Sequence, residues 1–375
     1  MNYINRYLRN FKPYSVASHK VWQVDDCKRE EILKLDWNES TIQPSPVVYK
    51  RLNNLMNTKF LNLYPETYNN RIYELLSRYV GIGEKNIQYF ASSDSLHEYI
   101  AKLYITVGDP VLILWPSYDN FRLTAQVAGA NVIFYNMGSD FSMNFEELVN
   151  KIDNKQPSLV YICNPNNPTG SIIDNMHIEK LVSMFEQTIF LIDEAYIEFS
   201  PEYSCKELVK QYDNLLISRT MSKAFGLANV RFGYLIASEE NINYISSIRN
   251  PKNITTFAQE AVIGALSDIE YMKKYVCEVN LSKKYFIDSL KNITCSPFTV
   301  YESYGNFVMI ECQSTLVKNE IISYLERRNV FVRNLSQSKM LEKCIRVTIG
   351  TCDQMKFVVR LFENYVNETR RHCNE

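Results

Sequence analysis

Short apolar runs, each closed by polar residues, recur along the middle of the chain. "VLILW" (111–115) meets "PSY", "NVIFY" (131–135) meets "NMGSD", and "SLVYIC" (158–163) meets "NPNNPTG". Further on, "TIFLID" (188–193) meets "EAY", "NLLISR" (214–219) meets "TMSK", and "GYLIAS" (233–238) follows. Runs this short and this continuously apolar predict strands buried on both faces. Between several of them the apolar spacing turns helical, as over 178–185. The alternation predicts an α/β fold with a doubly wound, mostly parallel sheet.

Ahead of this block, "LDWNESTIQPSP" ends an extended arm, and a helix is expected over 47–55. Tyr64 precedes Pro65 and so belongs to an extended or turned segment. Ile72, Leu75, Leu76 and Tyr79 predict a helix over 70–79, with Gly81 stopping it. Beyond Asn250-Pro251 the pattern changes. Residues 255–290 read as helical, and only "NFVMIE" (306–311) and "IRVTIG" (345–350) stand out later as strands. A chain of 375 residues exceeds one ordinary core. The expected division is an arm over 1–44 that joins the small domain, a large domain over 45–250, and a smaller α+β domain over 251–375.

Composition narrows the class. Hydrophobic residues make up 46% and charged residues 22%, as in a folded globular chain. Forty-one basic side chains against 42 acidic ones leave a net charge of −1, which offers nucleic acid or an anionic membrane no electrostatic hold. No segment reads as a signal peptide or a bilayer span. The nine scattered cysteines read as reduced thiols of a cytoplasmic protein, and the four histidines lack metal-ligand spacing, so no metal is expected.

In doubly wound sheets, ligands bind beyond the carboxyl ends of the strands. Four runs carry their most distinctive polar residues there: Tyr118, Asn167, Asp193 with Tyr196, and Ser222 with Lys223. Lys223 sits between hydroxyls and Arg231, an arrangement suited to an anion held beside a reactive amine, though equally the composition of a solvated turn. Asp193 closes an apolar strand, either as a cap or as the counter-ion of a buried cation. Ser92, Ser93 and Asp94 open a helix, where capping accounts for them and where a phosphate would also bind. In "IRVTIG" Arg346 alternates with Ile345, Val347 and Ile349, and Arg333 ends another apolar run, "VFVRN"; both read as solvated edge residues or as forks for carboxylate and phosphate.

"NPNNPTG", "DEAYIEF" and "RTMSKAFGLANVRFGY", in that order, resemble the fold-type I pyridoxal-phosphate enzymes. More narrowly, the chain resembles the histidinol-phosphate aminotransferase family, with "YPE", "SSD", "PSY" and "IRVTIGT" in related places. The resemblance implies pyridoxal 5'-phosphate as cofactor, bound covalently by Lys223, which also moves the proton at the substrate Cα. It implies Asp193 on the ring nitrogen, Asn167 and Tyr196 on the phenolic oxygen, and Tyr118 on the ring face. It implies Ser93, Asp94, Ser222 and Arg231 around the phosphate, with Tyr64 reaching the phosphate of a neighbouring subunit in a homodimer. Arg346 is implied for the carboxylate of glutamate or 2-oxoglutarate, and Arg333 is expected to meet a phosphate on the other substrate. Two departures, Ser95 and Asn229, bear on the substrate side. A phospho-amino-acid decarboxylase is the alternative fate of the same site. A regulator using this fold as an effector module is set aside, because no basic helix-turn-helix precedes the first fold motif near Asp36.

Overall fold

The computed structural model describes Trp22 and residues 31–58, 62–336 and 338–374, with backbone alone for 371–374. Of the predicted arm, residues 1–21 and 23–30 lie outside the described residues.

The apolar runs are strands, and they form one sheet. In chain order the strands are β1 (Leu33–Leu35), β2 (Ile87–Phe90), β3 (Pro110–Trp115), β4 (Asn131–Asn136), β5 (Leu159–Cys163), β6 (Ile189–Asp193), β7 (Leu215–Thr220) and β8 (Gly233–Ile236). The last four are β9 (Phe298–Val300), β10 (Phe307–Cys312), β11 (Val330–Asn334) and β12 (Cys344–Thr348). The large sheet has the order β2-β8-β7-β6-β5-β3-β4, and every neighbour pair from β7 through to β4 is parallel. β8 runs antiparallel to both β7 and β2, so the sheet is mostly parallel, as the pattern implied.

Alternation sorts the strand residues into two cores. Val160, Ile162, Phe190, Ile192 and Ile217 face one layer. Tyr161, Leu191, Leu216 and Leu235 face the other, together with Leu96 and Ile100 of the helix Ser93–Tyr104. Both faces are covered, which is why these runs lack polar interruptions.

The second sheet has the order β1-β11-β12-β10-β9. β1 lies parallel to β11, pairing Leu33 with Val330, so the segment before the large sheet completes this smaller one. The helices Ile269–Lys291 and Cys352–Asn374 contribute Val279, Phe286, Val358 and Phe362 to the same core. β1, β2, β9 and β11 were not among the predicted strands. Three of them are three or four residues long, too short to show a period.

A buried ion pair joins Glu194, just beyond the end of β6, to Arg219 near the end of β7. Glu194 is fully buried and accepts from Arg219 Nε at 2.8 Å, from Ser204 Oγ at 3.0 Å and from the Cys205 amide at 2.7 Å. Removing Glu194 leaves the Arg219 guanidinium buried without its ion-pair partner. Glu194→Ala should therefore lower the unfolding free energy by about 3–5 kcal/mol, measured by urea denaturation. A loss below about 1 kcal/mol, the scale of a surface pair, would contradict this account.

Candidate active site

Parallel register delivers the first part of the site. Asp193 pairs with Cys163 on one side and with Ser218 on the other. Asp193 is 3% exposed, and both its oxygens accept from hydroxyls: Tyr161 Oη at 2.8 Å and Ser218 Oγ at 3.1 Å. A buried carboxylate satisfied by neutral donors alone is an electrostatic socket for a cation.

The phosphate-type end lies at the helix Ser93–Tyr104. Ser92 caps it by accepting from the Ser95 amide. The amides of Ser93 and Asp94 have no carbonyl one turn below them. Asp94 accepts from Tyr118 Oη at 3.1 Å, Asn120 Nδ2 at 3.0 Å and Arg231 Nη2 at 3.2 Å, drawing these groups to the helix start. Gly233 makes the cradle possible, since a Cβ there would sit 2.4 Å from the Ser93 nitrogen. Ser222 is held by Thr220, whose hydroxyl donates to it at 2.9 Å.

Lys223 lies between these ends. Its amine donates to the Trp37 carbonyl at 3.0 Å and stands 5.7 Å from the centre of the Tyr196 ring. Enclosure of the amine, reinforced by the Arg346 guanidinium, lowers its pKa from the ordinary 10.5 to about 8. Tyr196 is buried, and its phenol shifts upward through loss of solvent despite the nearby Arg346. Its oxygen accepts from Asn167 Nδ2 at 3.1 Å and from Asn38 Nδ2 at 3.1 Å.

"NPNNPTG" is the rigid loop its composition suggests, with cis peptides before Pro165 and Pro168. It presents Asn167 toward the site, while Asn166 binds back to Thr169 and the Pro116 carbonyl. Gly170 has φ +77°, and a Cβ there would meet Ser303 at 2.4 Å, so the loop packs directly on the smaller sheet's connection. From that sheet comes Arg346, 7% exposed, with Nη1 donating to Asn167 Oδ1 and Nη2 to the Asp36 carbonyl at 2.7 Å. Arg333, 8% exposed, is its direct cross-strand partner. Neither is a solvated edge residue.

Tyr64 is not part of this cluster. It is 81% exposed, with Lys252 over its ring at 4.5 Å. Several participants were not anticipated: Tyr161, Ser218, His97 and the segment Asp36, Trp37 and Asn38. Asn38, fully buried at φ 56°, binds Tyr196 by its side chain and accepts at its carbonyl from Asn306 Nδ2 at 3.1 Å. An asparagine inside "LDWNES" tolerates a left-handed turn, and that was the one available signal.

An isolated carboxylate, an anion cradle and an amine of lowered pKa between them fit pyridoxal phosphate. The chain belongs to the aminotransferase class I and II family, whose model matches residues 30–361. It is a pyridoxal-phosphate-dependent aminotransferase of the histidinol-phosphate aminotransferase type. It is 36% identical over 366 residues to a dihydroxyacetone phosphate transaminase of Campylobacter jejuni, covering 97% of each chain. A histidinol-phosphate aminotransferase of Ruminiclostridium cellulolyticum is 34% identical, over 92% of this chain and 93% of the relative. Among solved structures, the histidinol-phosphate aminotransferase of Sinorhizobium meliloti in complex with pyridoxal 5'-phosphate superposes with a TM-score of 0.85. That match is at 22% identity and covers 98% of this chain and 99% of that one.

The lowered amine has a measurable consequence. Only the unprotonated amine attacks an aldehyde, so capture of pyridoxal phosphate by the apoenzyme should speed up as pH rises, with half its maximum near pH 8. Stopped-flow absorbance measures this, and borohydride reduction with peptide mapping should place the label on Lys223. A midpoint above pH 10, or a label on another lysine, would refute the assignment.

Proposed function

We propose that this aminotransferase exchanges an amino group between glutamate or 2-oxoglutarate and a small phosphorylated carbonyl compound. The observation that carries the reading is the pair of buried arginines, Arg346 and Arg333, opposite each other on β12 and β11, with Arg346 beside Lys223. One guanidinium suits a carboxylate and the second a phosphate. The names of both relatives contain a phosphorylated compound, which supports the second role.

When bound, pyridoxal phosphate supplies a ring that takes up the electron pair released at the substrate Cα. In this reading Lys223 holds the cofactor covalently and then carries the proton at that carbon. Asp193 meets the ring nitrogen, Asn167 and Tyr196 the phenolic oxygen, and Tyr118 the ring face. Ser93, Asp94, Ser222 and Arg231 hold the phosphate. The division into an arm over 1–44, a large domain over 45–250 and a small domain over 251–375 belongs to the same reading, supported by β1 joining the second sheet. So does a cytoplasmic location, supported by buried free thiols such as Cys163, Cys205, Cys312 and Cys344. No helix among the described residues is long and apolar enough to cross a membrane.

A homodimer with shared sites is part of the proposal, with Tyr64 serving the neighbour's phosphate. Leu63, Tyr64 and Tyr68 expose large side chains on one short segment, as an interface would require. Mixing Tyr64→Phe with Lys223→Ala should restore activity above that of either variant once subunits exchange. An active monomer in sedimentation would end this part of the proposal.

The reaction itself is tested by half-reactions. Glutamate should bleach the visible band of the loaded enzyme and release 2-oxoglutarate. Arg346→Ala should weaken that step by roughly 2–5 kcal/mol, the scale for truncating one partner of a buried charge pair. Arg333→Ala should act chiefly on the phosphorylated partner. Carbon dioxide from an O-phospho amino acid, without 2-oxoglutarate from glutamate, would instead identify a decarboxylase.

A further inference from the structure

His97 is fully buried, and the chemistry proposed above assigns it nothing. It lies on the helix Ser93–Tyr104, one turn beyond Asp94, on the side that packs against Leu191 and Leu216. Its Nε2 stands 3.0 Å from Ser218 Oγ, which stands 3.1 Å from Asp193 Oδ1. The imidazole meets Phe121 edge-on at 5.5 Å and Tyr161 at 5.8 Å, and these two rings stack on each other at 4.4 Å. Its Nδ1 has no hydrogen-bond partner among the described residues.

Counting protons fixes the direction of this chain. A serine hydroxyl has one proton to give and lone pairs to accept with. The carboxylate is the stronger acceptor, because a hydrogen bond to an ionised group is roughly twice as strong as one between neutral groups. Ser218 therefore donates to Asp193, and its oxygen accepts from Nε2–H of His97. Nδ1 then carries an unpartnered lone pair, which costs less than an unpartnered N–H. The other tautomer would put an N–H at that unpartnered position and turn the serine proton away from Asp193. The packed rings of Phe121 and Tyr161 hold the imidazole in the orientation this relay requires.

We infer that His97 is a positioning residue for Asp193, acting through Ser218: it keeps the serine proton on Oδ1 and so fixes the carboxylate that meets the cofactor's ring nitrogen. With Tyr161 holding Oδ2 at 2.8 Å, the carboxylate is restrained at both oxygens. The inference rests on the proposed role of Asp193. It adds that one helix serves both ends of the cofactor, with Ser93 and Asp94 at the phosphate and His97 behind the ring nitrogen.

The test uses His97→Leu, His97→Gln, His97→Asn, Ser218→Ala and the double variant His97→Leu/Ser218→Ala. Two quantities are read: apoenzyme affinity for pyridoxal phosphate, by fluorescence titration, and the absorption spectrum of the bound cofactor. His97→Leu should weaken affinity about tenfold, the lower end of losses seen when a residue that orients a metal ligand is removed. It should also move the spectrum toward that of Ser218→Ala. The glutamine amide reaches where Nε2 lies and should restore most of both properties, whereas the shorter asparagine should not. In the Ser218→Ala background, His97→Leu should add nothing, because the effect has lost its carrier. Wild-type affinity and spectrum in His97→Leu, with only a lower melting temperature, would overturn the inference. Additive losses in the double variant would overturn it as well. If His97→Leu fails to fold, the glutamine and asparagine variants decide: equal behaviour refutes the relay. Asp193→Ala serves as the control, since unchanged affinity and spectrum there would remove the reading on which the inference stands.

Discussion

The register between β6 and β7 is the constraint on which the site depends. Asp193 lies opposite Ser218, and one residue further on the Glu194 amide bonds the Ser218 carbonyl. Side chains alternate across a sheet, so the carboxylate of Asp193 and the hydroxyl of Ser218 share one face, while Glu194 and Arg219 share the other. Two carboxylates adjacent in sequence thereby receive opposite treatments. Glu194 is neutralised by a fixed arginine, whereas Asp193 is given only hydroxyls. A slip of β7 by one residue would turn Arg219 to the face of Asp193 and Ser218 away from it, pairing off the ligand's carboxylate and leaving Glu194 buried without its cation.

Everything else in the site is placed relative to that pair. The helix Ser93–Tyr104 packs on the Asp193 side and turns its amino end toward Arg231, and Gly233 removes the side chain that would keep β8 from the helix start. The smaller sheet then closes over the opening. Asn38 ties Tyr196 to Asn306 and Thr348, and Arg346 reaches Asn167 across the junction. Lys223 is enclosed by elements from both sheets, and this enclosure is what depresses its pKa.

The strands of the large sheet were legible because burial on both faces leaves mostly apolar runs, with polar residues gathered toward the strand ends. That same rule exposed Asn167, Asp193 and Lys223. It failed at β2, whose four residues include Gln88, and at β1 and β9, each three residues long. Tyr161 and Ser218 were hidden for another reason. Inside an apolar strand they look like filler, and only the pairing of β5, β6 and β7 brings both to Asp193. His97 and Asn38 needed contacts over more than a hundred residues, which no local period records. Arg346 was recognisable as an arginine on a strand and Arg333 as one closing an apolar run, but their adjacency is a property of the ladder.

That adjacency has an energetic consequence. Residues directly opposite on antiparallel strands share a face, and like charges so placed destabilise a sheet. Oxygens such as the Asp36 carbonyl and Asn167 Oδ1 offset part of the strain around Arg346. An anion held by both guanidiniums would bind the folded chain alone, because only the ladder brings the two arginines opposite each other. Through linkage, that binding returns as resistance to unfolding. The heat stability of the chain thus becomes a readout of which anions its binding site prefers, before any turnover is observed.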